Sequence, residues 1–556
     1  MQKQAWFTYL DAALVVLLAI IPLFFSFPYR VNIFLSWEGA YRMSHGQLPF
    51  RDFGIPLGGM YWVIPALFMK IFGTGMLTLV KAQVFINILN GLAFRSILKS
   101  LQVKWPVQLV AVATFCLSYS FINFWPWYNH TVIAYQMVGL ALLLNGLRLH
   151  GQTSVCASRM AFAALFFAFS FLTKQDAGAL GILMACVLLA TYSAYGKKWK
   201  PLAVFALTLL VFLSAFFVVF QKAGAGYWFN HGQKPHVSRV SLREVFEEFL
   251  LASDWIKFYL LLIFFVVIYR FRTWSQLVSN KTELMFLLLV LGILAEAAIF
   301  QVTSYTPPDN NIFFHSFAIA YLLHALLSQA SLQGLRQWSV ALSGLALVFV
   351  WWSNHYWTYV QRIFARQETV AVNTRTAAGE EPENVVNRRT YIIAPEGPKT
   401  EQETDWAFSN MPVFKGVYMP RSTLAGIQRI EKWCKEHPKK DDLTVLNMSE
   451  LTPLADAIPF RLEKGSHFPL WFHLGVSMFN KQAVMFEQRI ATRHYDLVLF
   501  EYIPTLNNFY PFRVRNALMA HYEKLDSFAA PRRGDDTRGT IEVYVPKKAD
   551  SGSAPN

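Results

Sequence analysis

Eleven runs of apolar residues constrain this chain more than any other feature. They fall at 10–29, 76–98, 105–123, 131–148, 160–174, 178–195, 201–221, 256–271, 284–303, 313–330 and 338–356. Runs of roughly 17 to 22 apolar residues can cross a hydrocarbon core of about 30 Å as helices. Composition agrees with a bilayer as solvent: 54% of the 556 residues are hydrophobic and only 15% are charged, with 49 Phe and 17 Trp. A soluble domain carries about 25% charged residues. The four cysteines, Cys116, Cys156, Cys186 and Cys434, show no zinc spacing and no disulfide framework. The first run lacks a small-residue cleavage site and reads as a retained helix rather than a signal peptide.

Net charge is +15 and unevenly placed. Through Trp357 there are 24 Lys and Arg against 11 Asp and Glu, whereas the remainder is nearly balanced at 26 against 24. A basic excess set among apolar spans speaks of topology rather than of nucleic acid. With the amino terminus inside, 13 cations lie inside and 11 lie outside or near the outer face. Ten of those 11 fall in the first loop through residue 81 and in residues 222–257; the other outer connections contribute only Lys174. An anionic ligand at the outer face, or anionic headgroups, would explain two basic outer loops. Segment 57–73 is apolar but short, with Gly58, Gly59 and Pro65 inside it, and reads as lying along the outer surface or re-entering. That choice keeps Arg95, Lys99 and Lys104 inside.

The expected fold class is an α-helical polytopic membrane protein of about eleven spans with a C-terminal soluble α/β domain. Residues 1–356 form the membrane part, 357–404 a polar linker, 405–546 the α/β domain on the outer side, and 547–556 a frayed tail. In the α/β part, 422–436, 451–457 and 511–524 read as helices, and Leu443–Asn447, Asp496–Phe500 and Thr540–Val545 as strands.

The membrane half has so few acids that each can be weighed. Asp11 and Glu283 stand at inner helix ends and read as meeting the headgroup region. Glu244, Glu247, Glu248 and Asp254 belong to an amphipathic stretch suited to an interfacial helix. Glu38 and Asp52 lie in the first outer loop among arginines, a histidine and aromatics. One such carboxylate can act as general base and another can orient a sugar hydroxyl or a metal. The plain alternative is that Arg51 and Asp52 pair within a turn. Arg42 and Arg51 can hold a phosphate. Lys174 stands alone in the short connection LTKQDAG, where phosphate binding competes with snorkelling to the interface. Lys222 and Arg239 add cations from the second basic loop. Tyr128, Asn129 and His130 at an outer helix end could stack on a sugar, set against an ordinary aromatic belt. Tyr305, Asp309 and His315 could belong to an acceptor or carrier site, set against a plain turn begun by Pro307-Pro308. Tyr41 and His45 of the first outer loop could also contact sugar or acceptor. Glu296 is an acid about 12 Å along its helix from the outer end; an acid at that depth is functional by default or is protonated and hydrogen-bonded.

These residues carry a resemblance. Glu38-x-x-Tyr41, His45-Gly46-Gln47-Leu48-Pro49-Phe50-Arg51-Asp52-Phe53, Pro56-Leu57 and Phe72-Gly73, in that order, resemble the first outer loop of the GT-C glycosyltransferases. Within them the pattern is most similar to the protein mannosyltransferase and lipid A aminoarabinose transferase group. Phe171-Leu172-Thr173-Lys174-Gln175 resembles the Thr-Lys signature of that group. The likeness spans roughly residues 1–350. One position departs: where the family has an Asp-Glu pair, this chain has Trp37-Glu38. Either Glu38 or Asp52 then serves as base, and a hard-cation site becomes harder to build, which leaves a divalent cation as an open cofactor.

The resemblance implies transfer of a hexose or pentose, with inversion, from a polyprenyl-phosphate carrier to a glycan, lipid or protein acceptor at the outer face of the inner membrane. Three other readings stand beside it: a lipid-linked sugar transporter or flippase, a polymerase or ligase using a diphosphate-linked oligosaccharide, and a chain whose catalytic loop has decayed. A transporter would spread its polar residues through the bilayer midplane; here they gather at the outer face.

Overall fold

The computed structural model describes residues 9–30, 33–55, 57–118, 121, 123–148, 153–221, 245–246, 249–251, 253–271, 273–304, 312–328, 337–353, 406–439, 442–458, 460–465, 468–470, 472, 479–503, 510–531 and 539–547. The expected linker, residues 241–244, 247–248 and 252 of the amphipathic 241–255 stretch, and the site candidates Lys222, Arg239, Tyr305 and Asp309 lie outside the described residues.

Each of the eleven apolar runs falls on a helix. They are α1 (Leu10–Ile20), α4 (Met76–Ser100), α5 (Trp105–Phe115), α6 (Tyr128–Arg148), α7 (Thr153–Phe171), α8 (Gln175–Gly196), α9 (Lys200–Phe220), α10 (Asp254–Arg270), α11 (Lys281–Ser304), α12 (Ile312–Leu327) and α13 (Gln337–Trp351). Between α1 and α4 come α2 (Ile33–Ser44) and α3 (Val63–Phe72). Among the described residues, 5 helices are long and apolar enough by themselves to cross a membrane. Helix α9 is the plainest, with Leu207, Leu210, Val218 and Val219 all turned outward. Exposed apolar faces of this extent suit lipid rather than water. Helix α5 stops at Phe115, short of the run that continues to residue 123. The ambiguous segment 57–73 becomes a 3-10 turn followed by α3, which packs on α2 and α4. Its ten helical residues span about 15 Å, half a hydrocarbon core.

Two acids at the end of the bundle away from α2 correct the headgroup reading. Asp11 is fully buried, and its carboxylate takes a 2.8 Å ion pair from Arg95 and a hydrogen bond from Gln108. Glu283 is likewise buried, held by Arg270 at 2.9 Å with His324 at 3.7 Å. These acids tie α1 to α4 and α5, and α11 to α10 and α12. A buried ionised carboxylate needs such partners.

The C-terminal part adds two sheets. In the larger, the order is β5 (Phe460–Arg461), β4 (Leu443–Met448), β6 (Leu497–Tyr502), β8 (Thr540–Pro546), β7 (Tyr522–Ala529). Strands β4, β5 and β6 are parallel and β7 and β8 close the other edge antiparallel. Helices α14 (Arg421–Glu436), α15 (Leu454–Ala457), α16 (Phe479–Ala491) and α17 (Phe512–His521) complete it. Two expectations change here. The helix over 451–457 shrinks to the single turn α15, and that over 511–524 ends at His521, where strand β7 begins.

The smaller sheet joins the two halves. Phe27–Pro28 (β1), just ahead of the first loop, pairs in parallel with Val417–Pro420 (β3), which pairs antiparallel with Trp406–Phe408 (β2). One apolar core continues through it, holding Phe27 and Tyr29 beside β1 and Trp37, Phe53 and Trp62 of the first loop with Phe414, Val417, Leu451 and Phe468 of the C-terminal part. The helical bundle has a separate core. The first loop is therefore packed chiefly as a layer between bundle and α/β part.

Candidate active site

Helix α2 places Glu38 and Arg42 one turn apart on the same face. Arg42 donates from Nε to Glu38 Oε1 at 2.8 Å, and its Nη2 reaches the same oxygen at 2.8 Å. Its Nη1 donates to Gln47 Oε1 at 2.9 Å and to the backbone carbonyl of Glu463 at 2.8 Å. The guanidinium lies against the rings of Phe53 and Phe468. Arg42 is 3% exposed and its three nitrogens are all engaged, so the geometry gives it to Glu38 rather than to an external phosphate.

Glu38 is 8% exposed. Its Oε1 is anchored twice, while Oε2 meets no hydrogen-bonding group among the described residues. Burial raises the Glu38 pKa above the ordinary carboxylate value, and the Arg42 charge and hydrogen bond oppose that rise. The result is a carboxylate fixed at one oxygen, with an increased appetite for a proton.

Asp52 is used differently. Its Oδ2 accepts from the Leu48 backbone N–H at 2.8 Å and from Arg51 at 2.5 Å, while its own N–H donates to the Leu48 carbonyl. Burial works to raise its pKa, but the Arg51 and Leu48 hydrogen bonds outweigh it and hold the carboxyl below its usual value. This is the turn that sequence reading set beside a catalytic role, and both Arg51 and Asp52 serve it.

Trp37, standing where the resemblance leads one to expect an acid, is fully buried. Its Nε1 donates to the Thr74 carbonyl, and its ring stacks on Tyr41 at 4.4 Å, which in turn meets His45 at 4.2 Å. The Tyr41 hydroxyl donates to the Ala455 carbonyl in the C-terminal part. Burial, with the nearby charge of Asp456, pushes the Tyr41 pKa up to about 12.

Lys174 joins this end of the molecule through the backbone. Gly58 N–H donates to the Thr173 carbonyl at 3.2 Å, and Met60 N–H donates to the Leu172 carbonyl at 3.3 Å. Trp62 then lies flat over α2, where a Cβ on Gly39 would stand 2.0 Å from its ring, and Trp62 Nε1 donates to the Leu35 carbonyl. Glu38 and Lys174 are thus carried by one hydrogen-bonded layer. At Gly58 a Cβ would sit 1.7 Å from the Leu172 carbonyl oxygen. Gly58→Val should therefore break the junction, lowering stability in detergent by about 1–3 kcal/mol; an unchanged melting temperature would show that the two segments need not touch.

The Lys174 ammonium is 3.0 Å from Asp176 and 4.4 Å from the centre of the Phe300 ring, and only 4% of the residue is exposed. Glu296, buried in α11, accepts from Gln136 Nε2 at 2.6 Å. The lysine is an ion-paired, enclosed cation rather than a snorkelling one. Tyr128 meets Tyr61 edge-on and Trp127 at a tilt, Asn129 is buried, and His130 is hydrogen-bonded to Asn123. His315 lies elsewhere, bonded to Tyr259 at 2.8 Å among the rings of Trp255 and Trp352. Gln47, Glu463, Phe468, Asp176 and Gln136 are the partners sequence reading did not single out. Asp176 alone had a local signal, two residues beyond Lys174 in the first turn of α8.

Among the described residues no three His, Cys, Asp or Glu side chains gather as a metal-ligand set. The donor set at Glu38 is one carboxylate already committed to a guanidinium, which does not fit a hard divalent cation.

No family model matches the chain. No curated relative matches it either. Among solved structures, it is similar to ArnT from Cupriavidus metallidurans bound to undecaprenyl phosphate, at 12% identity and a TM-score of 0.49, covering 98% of this chain and 99% of that one. The arabinofuranosyltransferase AftD from Mycobacteria aligns with 98% of this chain and 40% of its own length, at 12% identity and a TM-score of 0.44. The Archaeoglobus fulgidus oligosaccharyltransferase aligns over 64% of this chain and 56% of its own, at 11% identity and a TM-score of 0.43. At these identities the similarity is one of fold.

Proposed function

We propose that this chain transfers a sugar from a polyprenyl-phosphate carrier to an acceptor hydroxyl, with Glu38 as general base. The observation that carries the reading is the Glu38 carboxylate, doubly anchored through Oε1 and open at Oε2. An acceptor hydroxyl bound at Oε2 gives its proton to Glu38 as its oxygen bonds to the anomeric carbon. The bond from that carbon to the carrier phosphate breaks, and the lipid phosphate departs with the electron pair. Single displacement of this kind inverts the anomeric centre. A phosphate leaving group needs charge stabilisation more than it needs a proton. Lys174 is the cation assigned to it, with Asp176 fixing the ammonium between turnovers. Arg42 is a positioning residue that sets the rotamer and basicity of Glu38. The site faces the outer side of the membrane in this reading, with the C-terminal part beside it.

The test is direct. Purified protein in detergent is given a radiolabelled polyprenyl-phosphate sugar, and release or transfer of the sugar is followed. Absence of both across several polyprenyl-phosphate sugars would count against the reading. Lys174→Ala should weaken donor binding by about tenfold or more. An unchanged donor affinity with a lowered melting temperature would make Lys174 a purely structural partner of Asp176.

A further inference from the structure

The amino-terminal ends of β4 and β6, together with β5, form a basic edge that continues into the first loop. Lys439 pairs with Asp496, whose other carboxylate oxygen and own N–H bond the backbone of Thr444. Arg461 stands across from Thr444 in the strand register. Arg489 pairs with Glu463, which also accepts from the Tyr495 hydroxyl. From there Lys464 acts on Asp52, Gly465 N–H donates to the Asp52 carbonyl, and Asp52 pairs with Arg51. The cations on this path are Lys439, Arg461, Lys464, Arg489, Arg493 and Arg51.

Three of the acids, Asp52, Glu463 and Asp496, are each neutralised by a partner. Asp442, at the start of the same edge, is exposed and makes no ion pair among the described residues. Arg461, Lys464 and Arg493 are all exposed and likewise form no ion pair among the described residues. Arg493 occupies the left-handed region at φ 54 just after α16, a place where glycine sits more easily. The pKa of exposed His494 is lowered first by burial and then by Arg489, with Asp496 opposing and Arg461 adding to the fall.

We propose that this edge docks an anionic, phosphate- or carboxylate-bearing glycan portion of the acceptor beside the loop that carries Glu38. Charge complementarity argues for the anion: three exposed, unpaired cations lie along one path while most of the local acids are already satisfied. Continuity argues for the acceptor, because the edge ends on Arg51 and Asp52, whose turn packs against the Arg42 cage through Gly465 and Phe468. The inference rests on the transferase reading for the word acceptor, but its binding test does not.

The probe is a heparin oligosaccharide, with neutral dextran as its uncharged counterpart, titrated against the full-length protein in detergent. Wild type should bind heparin with an affinity that falls as salt rises, and should ignore dextran. The triple variant Arg461→Gln, Lys464→Gln, Arg493→Gln should lose about tenfold or more in affinity while keeping its melting temperature. A control triple, Lys432→Gln, Lys435→Gln, Lys481→Gln, should bind as wild type does. Equal affinities for the two triples would overturn the proposal. So would salt-independent binding, or a loss in the first triple confined to phosphatidylglycerol vesicles, which would make the edge a membrane contact. Absence of sugar release and transfer from every polyprenyl-phosphate sugar tried would end the transferase reading and leave these binding results untouched.

Discussion

Glu38→Gln is expected to cut sugar transfer by roughly 10²- to 10⁴-fold, the usual contribution of a positioned general base, while donor binding stays within about twofold. The amide keeps the size of the carboxylate and leaves an oxygen to accept from Arg42, so the cage of Gln47, Phe53 and Phe468 should survive. What disappears is the basic Oε2. Melting temperature and donor affinity report on the fold, and single-turnover rates report on the chemistry. Asp52→Asn, measured alongside, should lose stability in its turn before it loses rate per folded molecule, because the charged Oδ2 serves both Arg51 and Leu48. Full turnover in Glu38→Gln would remove the proposed base outright.

Asp11→Ala is expected to destabilise the protein by about 3–5 kcal/mol, the cost of leaving one member of a buried ion pair without the other. Arg95 would lose the Asp11 carboxylate where α1, α4 and α5 meet, and Gln108 would lose its acceptor. Exchanging both members, Asp11→Leu with Arg95→Met, should recover most of that loss, since an apolar replacement of the whole pair is often neutral. Thermal unfolding in detergent distinguishes the two. Rate per folded molecule should be unchanged in either, because this pair sits at the far end of the bundle from Glu38. A single variant as stable as wild type would mean that Arg95 escapes to water.

The helices were legible because a bilayer forces long apolar runs, and all eleven runs lie on helices. Their ends were less so: apolarity says where a helix is tolerated, not where hydrogen bonding stops, and α5 ends well inside its run. Asp11 and Glu283 looked like headgroup contacts because their partners, Arg95 and Arg270, come from other helices. The Glu38 and Arg42 spacing of four residues is plain in the sequence, yet nothing local shows that Gln47 and Glu463 would take the remaining donors. The two-residue strand Phe27–Pro28 leaves no periodic trace, since its pairing partner lies nearly 400 residues away. Strand β7 was hidden for a related reason: only Val545 and its neighbours across the hairpin make Tyr522–Ala529 extended rather than helical.

The pairing of Phe27–Pro28 with Val417–Tyr418, and of the Tyr29 hydroxyl with the Glu450 carbonyl, bears on how the protein is made. During synthesis the first thirty residues leave the ribosome long before their partners exist. The segment bearing Glu38 must wait until the last third of the polypeptide has been translated. Contacts of such long sequence separation form slowly, so a nascent chain arrested before residue 450 would possess the helices of its bundle and still lack the layer that closes over Glu38.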